Sequence, residues 1–224
     1  MLPVISFLVA IQAVVIQALR DPVNQALTSW VPPPDAIKVQ SVTNSGNGCP
    51  QGSINFAIAP NRTLLTYGFD NMFVYIGPGV EPSYKMKNCQ IHTSLESRSQ
   101  VASFAVATVA YRGLAILDPG VNLTVLGTWF LPDTTLSKQF SYTLNDTDQY
   151  EGNVLTFRAD TNVPLEERVW TPCGDVGTFT LNVRARLQSA NVTGSGEIMN
   201  DDQLMEGLLV YIGLDWRQCD KDLA

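Results

Sequence analysis

From Thr178 to Gln188 the chain alternates without a fault. Phe179, Leu181, Val183, Ala185 and Leu187 fall on one face, and Thr180, Asn182, Arg184, Arg186 and Gln188 on the other. Side chains that alternate with a period of two lie on opposite faces of a β-strand, so the run predicts a strand with one buried face. "SINFAIA" repeats the pattern with Ile54, Phe56 and Ile58, and "CQIHTSLE" with Ile91 and Leu95 inward and His92 outward. "VNLTVLGTWFL" and "QFSYTL" keep the same period. "VASFAVATVAYRGLAIL" and "LLVYIGLDW" are apolar on both faces, as strands buried on both sides are. The turn signals "GPG", "DPG", "NDT" and "GSG" separate the runs. No amphipathic helix and no fixed repeat follows the first twenty residues. The expectation is an all-β chain folded as an antiparallel, jelly-roll-like β-sandwich.

The N-terminus breaks the pattern. "LPVISFLVAIQAVVIQAL" is apolar except for Ser6, Gln12 and Gln17, ends at small residues, and turns polar at Arg20-Asp21. That is the layout of a secretory signal peptide, expected over residues 1–18 with cleavage after Ala18. Residues 19–47, with the stiff "WVPPPDA", read as a weakly ordered Pro-rich linker, and 48–220 as a single sandwich domain. No second apolar run is long enough to span a bilayer, so the mature chain is expected not to be embedded in a membrane.

Composition agrees with export. Charged residues make up 16% of the 224, below the usual share of about 25%. The net charge of −7 and the lack of any basic run argue against nucleic acid as a partner. Cys49, Cys89, Cys173 and Cys219 allow three pairings, and an oxidising compartment would bridge them. The sequential pairing, Cys49 with Cys89 and Cys173 with Cys219, is expected, and the second bridge would clasp the terminal strand to its neighbour and hold that sheet edge in register. A zinc site needs close ligand spacing or several histidines, and there is one His, so neither metal nor cofactor is expected. N-x-[ST] sequons at Asn61, Asn122, Asn145 and Asn191 are candidate glycosylation sites.

Catalytic signatures are sparse. A nucleophile activated by histidine has only His92 to draw on, on an outward strand face, and no G-x-S-x-G elbow occurs. Paired carboxylates are the remaining hydrolytic chemistry, with Asp118, Asp160, Glu166, Glu167 and Asp215 as candidates. Were Glu166 and Glu167 in a strand, they would point to opposite faces. The acidic runs "NDTDQYE" and "NDD" do not have EF-hand spacing. For a binding role, Trp170 in a turn is the candidate for stacking on a sugar ring, while Trp129 and Trp216 lie in apolar strands and read as core. Tyr111 and Arg112 form a second candidate, the Arg as a fork for a carboxylate.

The segments "SGNGCPQGSI", "KMKNCQIHTSLE", "VAYRGLAILDPGV", "VWTPCGDVGTFTLNVRARL" and "LDWRQC" together resemble the secreted fungal and actinobacterial proteins grouped as domain of unknown function 4360. The resemblance runs from about Ala36 to Cys219. It rests on Gly48-Cys49-Pro50, Asn88-Cys89, Tyr111-Arg112-Gly113, Trp170 with Pro172-Cys173-Gly174, and Trp216-Arg217-Gln218-Cys219. After the second cysteine "SRS" stands where such proteins often carry a Pro-x-Gly turn. The resemblance implies a small secreted protein stapled by disulfides, common in filamentous fungi, and implies no activity. The functional expectation is a non-catalytic extracellular protein that binds cell wall, glycan or a host surface, its partner a polysaccharide or an extracellular protein. The alternatives are a small hydrolase using paired carboxylates and a secreted effector.

Overall fold

The structure, a computed structural model, describes residues 30–33, 36–97, 102–131, 137–145, 155–173, 177–199 and 207–219. The expected signal peptide and nearly all of both acidic runs lie outside the described residues. The described residues form strands β1 (Ile37–Ser45), β2 (Ile54–Ile58), β3 (Leu64–Phe69), β4 (Tyr75–Ile76), β5 (Met86–Ser97), β6 (Ala102–Leu117), β7 (Val121–Phe130), β8 (Ser137–Leu144), β9 (Leu155–Asn162), β10 (Thr178–Ser189), β11 (Gly196–Met199) and β12 (Leu208–Gln218). A five-stranded sheet has the order β1-β5-β10-β7-β8. A seven-stranded sheet has the order β2-β3-β12-β6-β11-β4, with β9 also on β6. Every pairing is antiparallel. The all-β, two-sheet expectation holds.

The core lies between the sheets. The inward row read from sequence on β10, Phe179 to Leu187, is buried throughout, and so are Phe104, Val210, Ile212 and Trp216 of the other sheet. β6 is apolar on both faces, and its outer face is partly covered where Arg168 closes over Asp215, the partner of Ala105, and Trp170 bridges to Ala105. It is flanked by β12 along Ala102–Gly113 and by β9 along Thr108–Ala115, with β11 taking over at Leu114–Leu117. Two tyrosines of the seven-stranded sheet reach across the core. The Tyr67 hydroxyl shares a 2.8 Å hydrogen bond with that of Thr93 on β5, and the Tyr111 hydroxyl lies against Gly127 on β7. Burial pushes both phenols well above their ordinary pKa, so both remain neutral hydroxyls at physiological pH.

Two expectations need correction. The linker was expected to run to residue 47, yet Ile37–Ser45 is β1, an edge strand of the five-stranded sheet. Its alternation is broken by a bulge between Val39 and Ser41, which shifts Val42 out of phase with Ile37 and Val39 and hides the period. The disulfides do pair sequentially, Cys49 with Cys89 and Cys173 with Cys219. The second was expected to clasp the last strand to a neighbour in one sheet. Instead β10 and β12 belong to different sheets, so the bond ties the approach to one to the exit of the other.

Candidate functional site

The outward residues of the five-stranded sheet form a polar platform whose rows follow from strand register. One row reads Thr43, His92, Thr180, Phe130 and Ser137 across the five strands. The next reads Ser45, Gln90, Asn182, Thr128 and Gln139. Beyond β1 the rows continue as Asn88, Arg184, Leu126, Ser141 and as Met86, Arg186, Thr124, Thr143. Each strand spacing is about 4.8 Å, so the platform is roughly 19 Å across. Amides, hydroxyls and guanidinium groups dominate it. Exposed apolar side chains interrupt it at Phe130 (41%) and Met86 (42%). A depression of about 150 Å³ lies among Met86, Thr124, Leu126, Arg184, Arg186 and Gln188. The His92 ring nitrogen Nδ1 shares a 3.0 Å hydrogen bond with the Thr180 hydroxyl, which ties this histidine into the row of the platform that the two residues share.

Charge is distributed unevenly. The strands of this sheet carry Lys38, Lys87, Lys138, Arg184 and Arg186 against a single carboxylate, Glu96, although the chain holds 21 acidic residues and a net charge of −7. Glu96 stands opposite Lys38 at one edge, bonded to Gln40. Of these cations Lys138 is neutralised by Glu167 at 3.1 Å, and elsewhere Asp160 neutralises Arg158 at 2.9 Å and the buried Asp215 pairs with Arg168. Among the described residues neither Arg184 nor Arg186 has a carboxylate partner.

A second concavity opens at an edge of the other sheet. It is a cleft of about 350 Å³ walled by Tyr75, Pro78, Val80, Ile116, Asp118 and Glu197. Glu197 pairs across the sheet with both Tyr75 and Ile116, which sets its side chain beside the Tyr75 ring. Partial burial, then Glu197 and Tyr84, raise the Tyr75 phenol above its ordinary pKa. Asp118 is partly committed to structure, since its Oδ2 accepts the Ser195 N–H at 2.8 Å. Glu197 was missed in sequence. It sits on a four-residue strand after "GSG", too short to show a period.

The sequence-derived candidates are not brought together. Tyr111 is buried in the core and presents nothing to solvent. Arg112 is exposed on the opposite sheet, across from Arg158. Trp170 is half-buried, its backbone bridged to Ala105 and its ring covered by the Arg217 guanidinium at 4.7 Å. Its neighbour Thr171 is buried, with hydrogen bonds to Ser103 and Phe104. The indole therefore packs where the disulfide joins the sheets instead of standing free for a sugar. Of the candidate carboxylates, Asp215 is buried against Arg168 and Asp160 is paired with Arg158. Glu166 and Glu167 lie together on an exposed 3-10 turn, not on the two faces of a strand. Asn61, Asn145 and Asn191 are exposed, and Asn122 is half-buried on β7. At Asn61 and Asn191 the side-chain oxygen accepts from the Thr two residues on, at 2.9 and 3.2 Å.

The family model described as domain of unknown function (DUF4360) matches residues 35–219. A protein of Arthroderma benhamiae described as an uncharacterized secreted protein is 29% identical over 189 residues, covering 84% of this chain and 74% of that one. Similar solved structures include a carbohydrate-binding module specific for non-crystalline cellulose, at 12% identity and a TM-score of 0.35, covering 80% of this chain and 88% of the other. A xylan-binding domain from Paenibacillus barcinonensis is also 12% identical, with a TM-score of 0.22 over 82% of this chain and 91% of the other. Likeness at these scores carries no residue of a site from one protein to another.

Proposed function

The chain belongs to the DUF4360 family of domains of unknown function, and we propose that it is an extracellular, non-catalytic protein that binds polysaccharide on the outer face of its five-stranded sheet. Two disulfides and a relative described as secreted support export. The observation that carries the binding reading is the platform itself. Its rows of amides, hydroxyls and guanidinium groups offer donors and acceptors to sugar hydroxyls, and Phe130, Leu126 and Met86 offer apolar surface to the faces of sugar rings. An extended shallow face suits a chain of repeating units better than a single small molecule, which favours an enclosing pocket.

The test is depletion of the mature protein from solution by insoluble chitin, β-glucan, cellulose, xylan and cross-linked polygalacturonate, with soluble sugar assayed in the same tubes. The expected result is depletion by at least one polymer without sugar release. No depletion by any polymer overturns the reading. The paired-carboxylate alternative draws on one observation, Asp118 and Glu197 in the same cleft. It predicts sugar release that Glu197→Gln abolishes, and that result would replace the platform reading.

A further inference from the structure

We infer that the glycan this face takes is a polyanion, a polysaccharide bearing uronic-acid carboxylates, held by Arg184 and Arg186. The inference rests on the glycan-binding reading and narrows it to one class of ligand.

Arg184 and Arg186 occupy successive outward positions of β10, the central strand, and lie about 7 Å apart along it. Two like charges so close repel each other, and a solvated strand face gains nothing from placing them there. Among the described residues no carboxylate relieves that repulsion. Cross-strand positions beside them, where an acid would normally be placed, hold Asn88 and Met86 on one side and Leu126 and Thr124 on the other. The chain is not short of acids, since 21 are present and a single one lies in these strands. A site for a neutral glycan has no need of this segregation, whereas a site for an anionic one does.

The chemistry of the depression selects the anion. A guanidinium presents a planar fork that fits a carboxylate through two parallel hydrogen bonds. Met86 and Leu126 flank the two forks with apolar surface, which suits a pyranose ring carrying one charge and C–H faces. Asn88, Gln188 and Thr124 stand within the same rows or lining, ready for ring hydroxyls. At physiological salt the screening length is about 8 Å, so a carboxylate seated here feels these two cations far more than acids on distant loops.

Affinity electrophoresis of the protein in gels containing polygalacturonate, neutral galactan or dextran sulfate, a polyanion without carboxylates, tests the inference. Polygalacturonate is expected to retard the protein at least tenfold more strongly than galactan. The double variant Arg184→Gln/Arg186→Gln should lose most of that preference while keeping its melting temperature, because both side chains are exposed. Equal retardation by galactan and polygalacturonate, retardation by galactan alone, or retardation by dextran sulfate alone overturns the inference of a uronic-acid ligand. The first two leave the glycan-binding reading standing. Retardation by polygalacturonate that the double variant retains overturns the assignment to these two arginines. Retardation in none of the gels overturns the inference, and depletion on the insoluble polymers then decides the broader reading.

Discussion

Tyr111 and Gly127 face each other across the core, and the pair shows how one residue restricts another. Gly127 is the inward residue of β7 between Val125 and Trp129, where period two calls for a large apolar side chain. A Cβ there would run into the Tyr111 hydroxyl. The glycine thus makes room for a tyrosine from the other sheet, and no feature of either segment alone reveals it. Gly127→Ala is expected to destabilise the fold by about 1–3 kcal/mol, the usual cost of overpacking. Tyr111→Phe removes the colliding oxygen, costs at most about 1 kcal/mol alone, and should recover most of the loss when combined with Gly127→Ala. Urea unfolding of the two single variants and the double variant checks this. Additive losses would mean that the two residues do not meet.

At the scale of elements, legibility follows regularity. β10 was readable to the residue because its inward face is wholly apolar and its outward face wholly polar. β6 and β12 were readable as doubly buried strands because consecutive residues, and so both faces, are buried along most of their length. β1 was lost to its bulge, β4 to its length of two residues, and β9 to an edge position that asks for little apolar surface. The same logic divides the site. The outward residues of β10, Arg184 and Arg186 among them, were legible in sequence. Their neighbours on β5 and β7 were not, because strand order is set by long-range pairing that no local pattern records. The disulfide pairing was legible as well, but not that Cys173–Cys219 spans the two sheets. A 46-residue closure is worth about 4 kcal/mol in the chain-entropy model. Replacing both cysteines by alanine is expected to lower unfolding free energy by about that amount. Since neither cysteine belongs to the platform rows, glycan binding by the folded variant should persist. Loss of binding with stability retained would mean that the clasp shapes the site.

For the whole molecule, the two sheets share a core but present different outer surfaces. The seven-stranded sheet has part of its outer face covered, where Arg168 closes over Asp215 and Trp170 bridges to β6. The five-stranded sheet keeps its outer rows open, polar and almost without acid. On the proposed reading, a strongly acidic protein that reserves one face for cations and amides separates its net charge from recognition. The central claim is that recognition happens on that face. Its most direct test is NMR of the isotopically labelled protein titrated with a soluble oligosaccharide of whichever polymer depletes it. The account predicts the largest shifts at Asn182, Arg184, Arg186, Thr124 and Leu126, with the Nε–H signals of both arginines moving. Shifts centred on Tyr75, Asp118 and Glu197, with the platform silent, would contradict it and move the site to the cleft.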